Sequence, residues 1–191
     1  MKLDPKRTSL VVVDMQNDFC HPDGELYSEA SEAAIEPINK LINRARNVGA
    51  NVFFTRDTHT EKQFESANYY DEYNQWGKHC ELGSWGWEIH DAIDVRLGEY
   101  AITKDTYDAF HETRLEEYLR NLGTDNLVIV GTLANVCVLH TAASAGQRDF
   151  KPVIVNDCVG YIEEEQKERA LEHAEWLFGE VVESDELVFE K

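Results

Sequence analysis

Short, uniformly apolar, β-branched segments recur along this chain with amphipathic segments between them, and that alternation constrains the fold more than any other feature. Ser9 to Val13 (SLVVV) is the first such segment. Asn51 to Thr55 (NVFFT), Glu99 to Thr103 (EYAIT), Leu127 to Val130 (LVIV) and Val153 to Val155 come next, and Leu187 to Phe189 offers a sixth. Between them, Ala33 to Val48 sets Ile35, Ile38, Leu41, Ile42 and Ala45 at helical spacing, with Gly49 as its C-cap. Thr113 to Leu122 carries Leu115, Tyr118, Leu119 and Leu122 on one stripe, and Glu164 to Leu177 predicts a further helix. Strands that are apolar throughout need cover on both faces. The pattern therefore predicts an α/β chain: one three-layer α/β/α domain over 1–191, with an open, mostly parallel six-stranded sheet.

Open parallel sheets bind ligands at the carboxyl ends of their strands. Asp14 follows the first strand, Asp57 and His59 the second, and Lys104 the third. After the fourth comes Gly131-Thr132-Leu133-Ala134-Asn135-Val136-Cys137, running into a helix. These groups are expected to converge on one edge. Taken singly, Cys137 reads as a small buried hydrophobe, Asp14 as a cap and Lys104 as a solvated charge. Taken together they supply a nucleophile, a base and an electrostatic stabiliser. A helix start and a neighbouring lysine favour the thiolate of Cys137, and backbone N–H groups of the preceding turn suit an oxyanion. His140, three residues after Cys137, is expected in the core. His21, His90, His111 and His173 read as structural or exposed.

The long polar and aromatic stretch from Asp57 to Asp91 holds three of the four tryptophans and breaks the alternation. Segments of that size are more often functional than idle. Asp57-Thr58-His59 puts two ligand types on alternate residues, and His79 adds another imidazole. Oxygen and imidazole donors suit zinc, iron or manganese. Each also reads as a polar loop residue with an ordinary hydrogen bond.

Asp+Glu number 37 against Lys+Arg 18, a net charge of −19 with neutral histidines. That excess excludes nucleic acid and anionic membrane surfaces as expected partners. The surface is read as solvated, with adaptation to high salt as the sharper alternative. No apolar run approaches the roughly 20 residues of a membrane span. The N-terminus carries no visible signal peptide, and the four cysteines read as reduced thiols, so a cytoplasmic protein is expected.

The motifs also resemble a known family. VVVDMQNDFCHPDGEL, AITKDTYDAF and GTLANVCVLHTA are similar to the isochorismatase-like cysteine hydrolases, and within them to the nicotinamidases, over about Leu10 to Asp185. The resemblance implies Asp14 as acid/base, Lys104 as stabiliser and Cys137 as nucleophile. It also implies a cis peptide between Thr132 and Leu133, with the Leu133 and Cys137 amides forming the oxyanion hole. RDTH and WGKHCELGSWGWEIH imply a divalent metal on Asp57, His59 and His79, zinc first, with iron or manganese as alternatives. Glu65 stands where some relatives place a fourth ligand. Phe19 and Trp76 are implied to sandwich the substrate ring. Trp85 and Trp87 are left between the pocket and a subunit contact. The expected activity is hydrolysis of a small-molecule amide, nicotinamide to nicotinate and ammonia, by a homo-oligomer. A carbamoyl or ureido substrate, or a non-catalytic binding protein retaining the fold, are the alternatives.

Overall fold

A computed structural model of the protein describes residues 1–65 and 75–190. Its strands are β1 (Lys2–Leu3), β2 (Thr8–Val13), β3 (Asn51–Asp57), β4 (Tyr100–Lys104), β5 (Asn126–Gly131), β6 (Lys151–Val159), β7 (Glu180–Val182) and β8 (Val188–Phe189). Six of them form one sheet in the order β4-β3-β2-β5-β6-β7, and every pairing in it is parallel. The three-layer expectation holds, and the reason is visible in the alternation of side chains along each strand.

Leu10, Val12, Val52, Phe54, Val128 and Val130 face one side, where Ile38, Leu41, Ile42 and Ala45 of the helix Ile35–Asn47 cover them. Val11, Val13, Phe53, Leu127 and Ile129 face the other side. There Leu115 and Leu119 of the helix Leu115–Asn121, Ala142 and Ala145 of Leu139–Gly146, and Leu171 and Ala174 of Glu164–Leu177 complete a second core. Period-two strands thus present an apolar residue to each helical layer in turn.

The sixth strand is not the one expected. β7 takes that position, and Val188–Phe189 instead pairs with Lys2–Leu3 in a separate two-stranded sheet. Val181 and Val182 pack on opposite cores, as successive residues of a sheet strand must. Leu187, by contrast, is wholly buried beneath the chain ends. The predicted Ala33–Val48 helix is likewise resolved into Glu29–Ala33 and Ile35–Asn47.

The strand order fixes where ligands bind. From β2 the chain builds outward through β3 to β4, then restarts on the other side of β2 with β5. The reversal lies between β2 and β5, and a crevice opens there at the carboxyl ends. Asp14 and the Thr132–Cys137 turn occupy that point. Among the described residues, no helix is long and apolar enough to cross a membrane.

Candidate active site

Asp14 follows β2 in a left-handed conformation, φ 49°. Thr55 near the end of β3 grips it twice: the hydroxyl donates to Asp14 Oδ1 at 2.6 Å and accepts from the Asp14 amide at 3.1 Å. Lys104, the last residue of β4, reaches across the strand ends. Its Nζ lies 2.7 Å from Asp14 Oδ2 and 3.2 Å from Asp57 Oδ1. The same ammonium donates to Cys137 Sγ at 3.6 Å and to the Thr106 carbonyl at 2.9 Å. Lys104 thus pairs with Asp14 Oδ2 while the Thr55 hydroxyl takes Oδ1. The three predicted catalytic residues therefore meet, all buried.

Burial and charge compete in this cluster. Desolvation pushes the Asp14 carboxyl up, and the Asp57 charge adds to it, against the pull of Lys104; the result is a raised pKa. Desolvation also works against ionised Asp57. The Lys104 ammonium and the hydrogen bonds from His59 and His79 outweigh it and hold that carboxyl well below the usual carboxylate range. Burial opposes the Lys104 charge too, but Asp14 and Asp57 keep it firmly protonated. Cys137 corrects an expectation. Desolvation, with Asp14 and Asp57 nearby, overrides Lys104 and the helix start, and the thiol is pushed well above its ordinary value. Forming the thiolate therefore works against burial, and a base beside the sulfur would assist it.

The turn carrying Cys137 is tied down by backbone. Gly131 closes β5 at φ 111°, and a Cβ there would fall 2.1 Å from the Val13 carbonyl oxygen, so only glycine fits. Thr132 donates its amide to Val13 at 2.9 Å, and Ala134 donates to the Gly160 carbonyl at 2.8 Å. The Thr132–Leu133 peptide is cis, as the resemblance implied. The Leu133 carbonyl accepts from the amides of Val136 and Val138, at 3.0 and 3.2 Å. The Leu133 amide itself donates to no group among the described residues. Cys137 then sits in a π-type turn, Ala134–Val138, that leads into the helix Leu139–Gly146. That wider turn shifts the phase of the helix it leads into. His140 is exposed rather than in the core, with Nδ1 2.7 Å from the Val136 carbonyl oxygen.

Cys137 opens onto a pocket walled by Phe19, Trp76, His79, Leu133 and Val136. Leu26 and Tyr107 complete it, the Tyr107 hydroxyl accepting from Trp76 Nε1 at 3.0 Å. Phe19 and Trp76 thus share one small, mostly apolar space with the sulfur. Trp85 and Trp87 are not part of its lining. Trp85 is half exposed, and Trp87 stacks under the Arg56 guanidinium while donating to Thr58 Oγ1 at 2.8 Å.

Asp57, His59 and His79 gather at one side of the pocket, all buried, with ligand atoms within 4.8 Å of one another. His59 Nε2 is 3.1 Å and His79 Nε2 is 3.4 Å from Asp57 Oδ2. A parallel bridge between His59 and Glu81 brings the His79 loop alongside, through His59 N–H to the Cys80 carbonyl at 3.0 Å and Leu82 N–H to the His59 carbonyl at 2.8 Å. His79 Nδ1 lies 2.9 Å from the Gly77 carbonyl oxygen, a contact in which the ring nitrogen donates and which fixes the ring with its Nε2 edge toward Asp57. Two imidazoles and a carboxylate aimed together are a donor set that fits zinc, iron or manganese. Glu65 is not in the group: it is exposed at the end of the short surface helix Glu61–Glu65, which buries no side chain.

Several residues of the site were not singled out by sequence. Gln16 is wholly buried and grips the Asp57 peptide from both sides, accepting its N–H at 2.7 Å and donating to its C=O at 2.9 Å. Its amide also donates to the Trp87 carbonyl at 2.9 Å. Asp18 accepts the Cys80 amide at 2.6 Å. Ser31 and Thr132 share a hydroxyl contact of 2.7 Å under the cis turn. The available signal was the polar run Asp14 to Asp18 directly after an apolar strand.

Comparison with known proteins decides the family. The model of the isochorismatase domain matches residues 8–186. The chain belongs to the isochorismatase family. Members of that family are hydrolases, and the fold agrees with solved ones. The chain is similar to a nicotinamidase of Saccharomyces cerevisiae, 28% identical over 185 residues, covering 78% of this chain and 86% of the relative. The structure of N-carbamoylsarcosine amidase from Thermoplasma acidophilum is 32% identical, covers 94% of this chain and 97% of its own, and superposes with a TM-score of 0.79. A pyrazinamidase of Pyrococcus horikoshii, solved in complex with zinc, is 30% identical with a TM-score of 0.83, covering 93% of this chain and 99% of its own.

Proposed function

We propose that this isochorismatase-family protein is a cysteine amidohydrolase that cleaves a small aromatic amide, nicotinamide to nicotinate and ammonia. One observation carries the reading. A buried ammonium stands 2.7 Å from Asp14 and 3.6 Å from the sulfur of Cys137, and Cys137 lines an aromatic-walled pocket.

The chemistry is set by the protonation states. Asp14 Oδ2 accepts the Cys137 proton, and the sulfur forms a bond to the amide carbonyl carbon. The carbonyl oxygen becomes an oxyanion received by the Leu133 and Cys137 amides. Asp14 returns the proton to the nitrogen, the C–N bond breaks and ammonia leaves a thioester on Cys137. Water then attacks that carbonyl, giving its proton to Asp14. The C–S bond breaks, the acid departs, and the proton returns to the sulfur. Throughout, Lys104 offsets the negative charge that moves between Asp14 and Cys137. Phe19 and Trp76 hold the ring. Asp57, His59 and His79 would hold a divalent ion, zinc first, which when bound orients a pyridine nitrogen.

A second reading has support of its own: the similarity to an N-carbamoylsarcosine amidase at 32% identity favours a carbamoyl or ureido substrate in the same pocket. Ammonia release from nicotinamide, pyrazinamide and N-carbamoyl amino acids, measured for wild type and Cys137→Ala, separates them. Turnover of the pyridine amide, lost in Cys137→Ala, supports the first reading. Turnover of carbamoyl compounds alone replaces it with the second, and no turnover of any amide by the zinc-loaded protein removes both.

A further inference from the structure

Asp18 lies one residue before Phe19, buried, and its contacts reach three separate segments, two of them next to the pocket lining. Its Oδ2 accepts the amide of Cys80, the residue after His79, at 2.6 Å. Its Oδ1 accepts the Glu25 amide at 3.3 Å, and its carbonyl accepts the amide of Leu26 at 2.9 Å. Its own amide donates to the Gly86 carbonyl at 3.0 Å. Phe19, Leu26 and His79, which line the pocket, are thus all adjacent to a contact made by this one residue. Gly86 presses on the same carboxylate: a Cβ there would fall 2.2 Å from Oδ1 and 2.3 Å from Oδ2.

We propose that Asp18 is a specificity-setting positioning residue, a carboxylate strut that fixes the separation of Phe19 from the His79 loop and so decides which ring enters the pocket. The proposal rests on the reading that Cys137 serves this pocket as its nucleophile. Asp18 touches no reacting atom. Its two oxygens take backbone N–H groups from two chain segments, one beside Leu26 and one beside His79, an arrangement that sets distance rather than chemistry. The rings of Phe19 and His79 stand 6.1 Å apart, centroid to centroid, inclined at 60°. Loosening the strut lets that gap change while leaving Asp14, Lys104 and Cys137 on their own strand ends and turn.

Two substitutions act on the strut from opposite sides. Asp18→Asn keeps the side-chain shape but turns an NH2 toward one of the two amides. Gly86→Ala drives a methyl against the carboxylate, and carries the test alone where Asp18→Asn does not fold. Alkylation of Cys137, followed by peptide mass spectrometry, is measured with iodoacetamide and with N-phenyl iodoacetamide, whose ring must seat against Phe19. Both variants are expected to keep the iodoacetamide rate within about twofold and to lose about tenfold with the aromatic reagent, the worth of one buried hydrogen bond. KM for an aromatic amide is expected to rise about tenfold with kcat within about threefold. An unchanged ratio of the two alkylation rates, or equal losses with both reagents, overturns the proposal. A wild type that hydrolyses no amide removes the assigned activity, while the alkylation ratio still reports on Asp18.

Discussion

The Lys104 ammonium and the Asp14 carboxylate stand 2.7 Å apart with neither side chain reaching solvent. A pair so placed is held by mutual charge, and Asp57 adds a second carboxylate at 3.2 Å. Breaking one side of a buried ion pair costs roughly 3–5 kcal/mol, because it strands the partner's charge. Lys104→Met is therefore expected to lower the unfolding free energy by about that amount in a urea titration and to abolish hydrolysis. A loss below about 1 kcal/mol would mean that the cluster is already neutral without the lysine.

The acid limb of the rate profile reports on Asp14. Its pKa is raised, chiefly by burial, so the proton stays on to a higher pH than on a free aspartate. The ionised form is the base, so kcat/KM is expected to fall as pH drops through that raised value. The Thr55 hydroxyl stabilises the ionised form through its 2.6 Å hydrogen bond. Thr55→Val is predicted to move the limb upward by about one pH unit, as a lost hydrogen bond to a charge would. Thr55→Ser should restore it. A limb that stays in place in Thr55→Val would assign the titration to another group.

Metal content tests Asp57, His59 and His79. Protein prepared without chelator is expected to carry close to one zinc, iron or manganese per chain, and His59→Ala or His79→Ala to lose it. Gln16 fixes the Asp57 peptide without being a ligand, so Gln16→Ala should weaken cobalt or zinc binding by about 10–100-fold. Calorimetric titration with the metal alone measures this. Wild-type affinity in Gln16→Ala would show that Asp57 needs no such support.

Gly131 tests the turn that carries the nucleophile. Its positive φ and the 2.1 Å approach of a Cβ to Val13 leave no room for a side chain. Gly131→Ala is expected to cost about 1–3 kcal/mol by overpacking, read as a shift in thermal or urea midpoint. A midpoint unchanged from wild type would mean that the turn relaxes freely.

Asp14, Asp57, His59, Lys104 and Cys137 were legible in the sequence because strand ends are legible, and parallel strands bring their ends to one edge. What lay beyond reach depends on distance in space. Thr55, Gln16 and Asp18 act through hydrogen bonds to residues 41 to 62 positions away, which leave no periodic trace. The upward push on the Cys137 thiol comes from burial among carboxylates, which a helix-start argument does not see. β7 was passed over because a three-residue edge strand with one exposed glutamate and two half-buried valines carries little apolar signal, whereas Leu187 drew attention as a buried anchor outside the main sheet. The phase of His140 depended on a π-type turn that the spacing alone reads as α-helix.

The most direct test is whether the sulfur of Cys137 carries the acyl group. Wild-type protein mixed with nicotinamide, quenched in acid within the first turnovers and digested for mass spectrometry, should yield the Cys137 peptide bearing a nicotinoyl thioester. Asp14→Asn should yield none. Ammonia produced at a steady rate by wild type with Cys137→Ala equally active, and no acylated peptide at any quench time, would contradict covalent hydrolysis at this residue.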